Sequence, residues 1–330
     1  MNAITPLDTD GGSDSAPTPG AAAQKLIAAV KANPSEPLFA VVDGARYGNL
    51  PRLLDMQGLT GRSLFLDHAD AEIEAASGWL VPLGGEADLA RLLEVSDETC
   101  SSLVLWFCPL GETALHRHVR TINVVRIPSD AIPDNNLVAD ADPGEDPEKT
   151  SRPEYGNVLF RHYDPDVLGA LLPLLDEAQF ARIFGPATRI VMFSQGHGGL
   201  CTAPRPENLP IAPRGLLTIS AGQIEDLKLA MAEARDMRVA AYLRKSAPEA
   251  AAKLDDHQLA NFVAASQASG HELGLTTERA QGFWAYMMLN SKGKIARDEV
   301  VRDYIVSDPE KGTPDDKMYN LMGELAKASS

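Results

Sequence analysis

Residues 158–186 read VLFRHYDPDVLGALLPLLDEAQFARIFGP. Residues 158–163 form a strand-like run, after which Asp164 offers its carboxylate to the orphan N–H groups of a helix. Pro165 takes the first helical position, where its missing N–H is harmless. Val167, Leu168, Leu171 and Leu172 share one face at a period of 3.6 residues until Pro173 interrupts the pattern. Asp176, with Gln179 three residues on, then caps a second short helix that Gly185 and Pro186 bring to an end. On a strand, Arg161 shares a face with Leu159 and Tyr163, so its guanidinium is expected to be partly buried and to need a carboxylate. Asp164 and Asp43 are the candidates.

Working outward from this strand and helix pair, residues 38–43 (LFAVVD), 63–66, 79–83, 102–107 and 122–127 are short β-like runs separated mostly by short helical patterns. The alternation predicts an α/β core domain with a mixed, partly parallel sheet and flanking helices. Downstream the pattern is helical over 221–245, 255–273, 277–290, 297–306 and 315–328, which predicts an all-α C-terminal lobe. In the third of these helices Ala280, Phe283, Trp284, Met287 and Met288 lie on one face, with Thr276 as the cap and Gly293 beyond the end. That face is expected to pack against neighbouring helices, or to form an adaptable Met-rich docking groove for a partner, with Phe283, Trp284, Met287 and Met288 as its candidate residues. The division follows: a weakly ordered tail over 1–37, an α/β core over 38–202 and a helical domain over 219–330. A stiff connector over 203–218 carries prolines at 204, 206, 210 and 213 and is expected to join the two domains. Residues 130–154, rich in acids, Pro and Gly without periodicity, are expected to form a surface loop.

Composition limits the function classes. The chain has 330 residues, 44% of them hydrophobic, and a net charge of −16. Residues 38–218 carry −11 of that charge. Such a field opposes nucleic acid and anionic lipid and speeds encounter with a basic partner. Cys100, Cys108 and Cys201 have neither disulfide nor zinc-ligand spacing, which fits a reducing cytoplasm. The first residues lack a basic and an apolar signal region, and no apolar run reaches the roughly 20 residues a membrane span needs. A soluble cytoplasmic protein without membrane insertion is expected.

An enzyme is the competing class. His116 and His118 point about 200° apart on a helix and would not chelate one metal there. Ser194 and His197 bracket the glycine-rich loop SQGHGG, which invites a hydrolase reading, but no GxSxG elbow and no third orienting residue accompany them. Asp43 with Gly44 stands where α/β enzymes place ligands; a cap or a partner for Arg161 is the simpler role. No nucleotide-binding glycine motif is present. No catalytic residue, cofactor or metal is expected.

The order Arg161, Tyr163-Asp164-Pro165, Phe184-Gly185-Pro186 resembles the core of the effector-adaptor chaperones of bacterial type VI secretion, a domain-of-unknown-function family numbered 4123. The runs 38–43 and 64–83 (ending WLVPL), and Trp106 with the helix that follows it, add to the resemblance, which extends over roughly residues 38–193. Position 162 is His where the resemblance calls for an aromatic side chain, and the acidic insertion before Val158 is a further departure. The resemblance implies a non-catalytic adaptor that grips a toxic effector and places it on a VgrG-type spike-tip protein. It also implies that Asp43, Trp106, Arg161, Tyr163, Asp164, Pro165, Phe184, Gly185 and Pro186 are motif residues of structural weight. An immunity-type toxin-binding protein is the alternative, and a hydrolase using Ser194 and His197 a more distant one.

Overall fold

The computed structural model describes residues 5–6, 20–32, 36–65, 70–97, 99–132, 154–307 and 312–328. Most of the N-terminal tail and of the acidic loop expected over 130–154 lies outside them. The described residues divide into two compact units, one reaching Met231 and the other starting at Ala232. An α/β unit followed by a helical one is the fold class the sequence predicts.

In chain order the first unit contains β1 (Thr5–Pro6), α1 (Ala21–Lys31), β2 (Leu38–Asp43), α2 (Leu50–Met56), β3 (Arg62–Ser63), α3 (Ala71–Ala75), β4 (Gly78–Leu83), α4 (Glu86–Glu94), β5 (Leu103–Phe107), α5 (Gly111–Arg120) and β6 (Val124–Pro128). It continues with β7 (Tyr155–Leu159), α6 (Pro165–Leu171), α7 (Glu177–Phe184), β8 (Arg189–Ser194), β9 (Gly199–Pro204) and β10 (Leu217–Thr218). A seven-stranded sheet has the order β1-β9-β8-β5-β2-β4-β3, and a three-stranded one the order β10-β6-β7. Pairs in the large sheet are antiparallel. Among the described strands the parallel pairing joins β10 to β6.

Both faces of the large sheet are covered, which is why its strands read as continuous apolar runs instead of alternating ones. Phe39, Val41, Leu80, Val104, Trp106, Ile190 and Met192 point to a core shared with α5, α6 and α7. Their chain neighbours Leu38, Ala40, Val42, Val81, Leu105, Phe107 and Val191 point the other way, onto α1, α2 and α4. The two-residue period of the strands thus supplies two cores from one sheet.

Three local expectations change. Residues 21–31, assigned to the weak tail, form a helix whose Ala22, Leu26 and Val30 are buried on the sheet, because a four-residue apolar repeat in an Ala-rich segment makes a packing face. The strand before the signature is Tyr155–Leu159, and residues 162 and 163 turn; Arg161 and Tyr163 are therefore held by a turn and not by a strand face. The proline-rich stretch 203–218 lies within the first unit: Leu209 packs on its core and Leu217 pairs with Val125. Composition marks such a segment as stiff, but not where its ends dock.

The division between units falls inside α8 (Ala221–Ser246), which is followed by α9 (Pro248–Ala251), α10 (Asp256–Glu272), α11 (Glu278–Asn290), α12 (Glu299–Val306) and α13 (Pro314–Ala328). Helix α11 is central to the second unit. Ala285 and Leu289 join a core with Leu243, Leu259 and Val263, while Ala280, Trp284, Met287 and Met288 join another with Leu275, Ile305 and Met318. Its cap is Thr277, whose hydroxyl accepts from Ala280 N at 3.3 Å. Thr276, the cap expected from the sequence, instead donates its hydroxyl to Asp315 at 2.7 Å.

Candidate functional site

Strand β2 ends on Asp43, whose side chain is 1% exposed although it is a carboxylate. A buried carboxylate needs compensation, and three groups provide it. Ala45 N donates to Oδ1 at 3.2 Å, the Arg161 guanidinium donates to Oδ2, and Arg46 Nε stands 3.5 Å from Oδ2. Arg46 reaches onward to Asp164, with Nη2 3.7 Å from Oδ2. Asp164 meanwhile caps α6, accepting from Asp166 N at 3.0 Å and Val167 N at 3.4 Å, with Pro165 in the first turn as predicted. The result is an alternating carboxylate and guanidinium network, Arg161-Asp43-Arg46-Asp164, that ties the end of β2 to the start of α6.

The electrostatics follow from burial and order of charges. Burial would lower the Arg161 pKa, but the charge and hydrogen bond of Asp43 outweigh it and raise it. Asp164 is pushed up, by burial first and by Asp166 second. Burial and then the Asp43 charge push the Tyr163 phenol up to about 12. The Tyr163 ring lies against Gly78, where a Cβ would come within 2.6 Å of it. Gly44 is equally constrained, since a Cβ there would overlap the carbonyls of Ala75 and Ser77.

Behind the network sits an aromatic group. His162 is fully buried and meets Trp106 edge-on at 6.1 Å and Tyr163 at 5.4 Å between ring centroids. The imidazole thus occupies the aromatic place that the resemblance assigns to position 162. Asn123 Nδ2 donates to Leu64 O at 3.0 Å, which turns Asn123 Oδ1 to accept from His162 Nε2 at 2.9 Å. Burial first, and the nearby His118 second, hold the His162 pKa down at about 3.

The Phe184-Gly185-Pro186 element closes α7 against α5. His118 Nε2 donates to Ile183 O at 2.7 Å, and burial pushes its pKa down to about 4. Gly185 has φ 50°, and a Cβ on it would overlap the His118 ring, so backbone geometry and close approach both demand glycine. The Gly185 carbonyl accepts from Arg205, and Phe184 stacks on Phe180 at 4.7 Å.

Ser194 and His197 turn to the same residue and not to each other. The Ser194 hydroxyl, 1% exposed, donates to the Asp166 carboxylate, while His197 Nε2 donates to the Asp166 carbonyl at 3.0 Å. Both fasten the β8–β9 turn to α6. His116 Nε2 donates to Ser63 O at 2.9 Å, on a different side of α5 from His118. Among the described residues no group of three or more His, Cys, Asp or Glu is placed to hold a metal ion, and no helix is long and apolar enough to cross a membrane.

The face proposed from sequence as a partner groove is filled by the second unit itself. Trp284 is fully buried, Met287 and Met288 nearly so, and Phe283 packs beside them with Tyr242 and Tyr319. It is a core face, because helices from both sides supply the complementary apolar surface. Sequence reasoning missed two residues here, Arg46 in the network and Asn123 in the aromatic group behind it. Arg46 follows Asp43 by three residues, a spacing that could have marked it; Asn123 carried no local signal.

No curated protein and no solved structure matches the chain. Residues 38–132 match the family model described as Domain of unknown function (DUF4123), a stretch that contains Asp43, Trp106 and His118 and stops before Arg161.

Proposed function

We propose that the chain is a non-catalytic cytoplasmic adaptor that binds a type VI secretion effector and loads it onto a VgrG-type spike tip, using no cofactor, no metal and no nucleic acid. One observation carries this reading: the signature elements outside the matched stretch are joined to residues inside it. Arg161 pairs with Asp43, and the carbonyl before Phe184 accepts from His118, so the resemblance in 158–186 and the family match over 38–132 belong to one unit. Four polar groups that could otherwise serve a reaction are engaged in the packing of that unit. Asp43, Ser194, His118 and His162 are each buried or backbone-bonded where a reacting group would need access.

The experiment is affinity co-purification of the protein from its own cells after a moderate salt wash, with mass spectrometry of the bound fraction. A spike-tip protein recovered together with a toxin is the expected result. A toxin recovered alone would move the assignment to an immunity-type inhibitor, and recovery of neither from folded protein would overturn both.

A further inference from the structure

The segment between β9 and β10 carries an exposure rhythm that neither its composition nor the adaptor reading requires. From Leu209 to Arg214 the residues LPIAPR are half-buried, exposed, exposed, half-buried, exposed, exposed, a period of three. Polyproline II has three residues per turn. Proline fixes its own φ near −65° and drives the preceding residue to extended geometry, so Leu209, Pro210, Ala212 and Pro213 are all biased to that helix. Three ridges result. Leu209 and Ala212 face the domain, with Leu209 on its main core. Pro210 and Pro213 form a second ridge, and Ile211 and Arg214 a third; all four are exposed, Ile211 at 98%.

Both ends are fixed to the same unit. On the N-terminal side Arg205 N donates to Thr188 O at 2.8 Å and its guanidinium donates to the Gly185 carbonyl. On the C-terminal side Arg182 Nε donates to Gly215 O at 3.2 Å, while the same guanidinium donates to Thr121 Oγ1 at 3.0 Å and to Thr121 O at 2.8 Å. Asn208 at φ 62° and Gly215 at φ 93° turn the chain just before and just after the stretch. Among the described residues Arg214 makes no ion pair, in a region whose net charge is negative.

We propose that residues 209–214 are a preformed polyproline II ligand for a partner protein bearing an aromatic-lined groove with a carboxylate at one end. The Pro210/Pro213 ridge fits between aromatic rings, Ile211 fills an apolar notch beside them, and Arg214 meets the carboxylate. Because the ends are clamped, docking orders little additional chain, which lowers its entropic cost.

The test uses the full-length protein and two isotope-labelled probes with such grooves, an SH3 domain and a WW domain, followed by NMR. Saturable shifts at groove aromatics of either probe are expected, with at least about tenfold weaker binding for the double variant Pro210→Ala/Pro213→Ala. Arg214→Glu, which leaves the backbone of the ridge untouched, is expected to weaken binding in the same direction and more steeply at low salt. Circular dichroism and thermal melting establish that each variant is folded. No groove shift with either probe at roughly millimolar protein, or equal binding by wild type and both variants, overturns the proposal. Its failure leaves the adaptor reading intact, since co-purification does not depend on this ridge.

Discussion

Asp43 is shared by the Arg161 and Arg46 ion pairs, and its burial decides what losing a partner costs. Removing one member of a fully buried pair costs about 3–5 kcal/mol. Arg161 is 42% exposed and Arg46 remains beside Asp43, so Arg161→Ala is expected to cost less, about 1–3 kcal/mol, read as a lower urea midpoint with an unchanged slope. Gly185→Ala should be worse, about 3 kcal/mol or more, because it combines a glycine-only φ with overlap on His118. Adding His118→Ala is expected to recover part of that loss, since it removes the overlap and leaves the backbone strain.

The same histidines set a pH dependence. His118 and His162 have native pKa values of about 4 and about 3, below the 6.5 of an unfolded histidine. Between those limits the unfolded chain binds more protons than the native one, so stability falls as pH drops from 6.5 through 4. The loss is expected to reach a few kcal/mol, since each tenfold difference in proton affinity between the two states is worth roughly 1.4 kcal/mol. Urea midpoints measured at pH 7.5 and pH 5 check it, and His118→Gln should flatten the dependence. The direction was not legible from sequence, since nothing local marks position 118 or 162 as buried. What was legible at this scale is the capping chemistry: Asp164, Asp176 with Gln179, and Pro165 all act where their spacing places them.

At the scale of elements, the helices announced themselves because their signals are local. All five helical segments expected beyond residue 219 begin or end within a residue or two of their observed limits, and caps account for the precision. Strands β2 to β7 were anticipated but less sharply bounded, whereas β9 and β10 lie in stretches that read as a glycine-rich loop and a connector. Residues 155–159 pair with β6 through contacts made far along the chain, while 160–163 look equally β-like and turn because Arg161, His162 and Tyr163 have partners in other elements. Helix α1 was missed for the related reason that its worth lies in burying Ala22, Leu26 and Val30 on the sheet. Leu26→Ala is accordingly expected to destabilise the first unit by about 2–5 kcal/mol, checked by chemical denaturation. In the second unit Asp315 accepts from Thr276 N at 2.9 Å and Thr277 N at 3.0 Å, holding the start of α11. Asp315→Ala should cost about 1–2 kcal/mol, with faster hydrogen exchange at the N-terminal end of that helix.

On the scale of the whole molecule, an α/β unit with a core on each face of its large sheet precedes a helical unit with two cores around α11. The class was legible because short β-like runs alternate with helical patterns through the first part of the sequence, whereas helical patterns alone fill the last part. Of the two roles open to the Phe283, Trp284, Met287 and Met288 face, packing is the one observed, and the sequence left both open because an amphipathic stripe looks the same whether its partner is internal or foreign. Candidate recognition surfaces therefore lie outside that face. The loss of an adaptor is read most directly in secretion itself. In cells lacking this chain, the tube and spike proteins should still be exported while one toxin disappears from the secreted fraction, and restoring the chain should bring it back. A secreted fraction unchanged by the loss, or cells poisoned by it, would contradict the account.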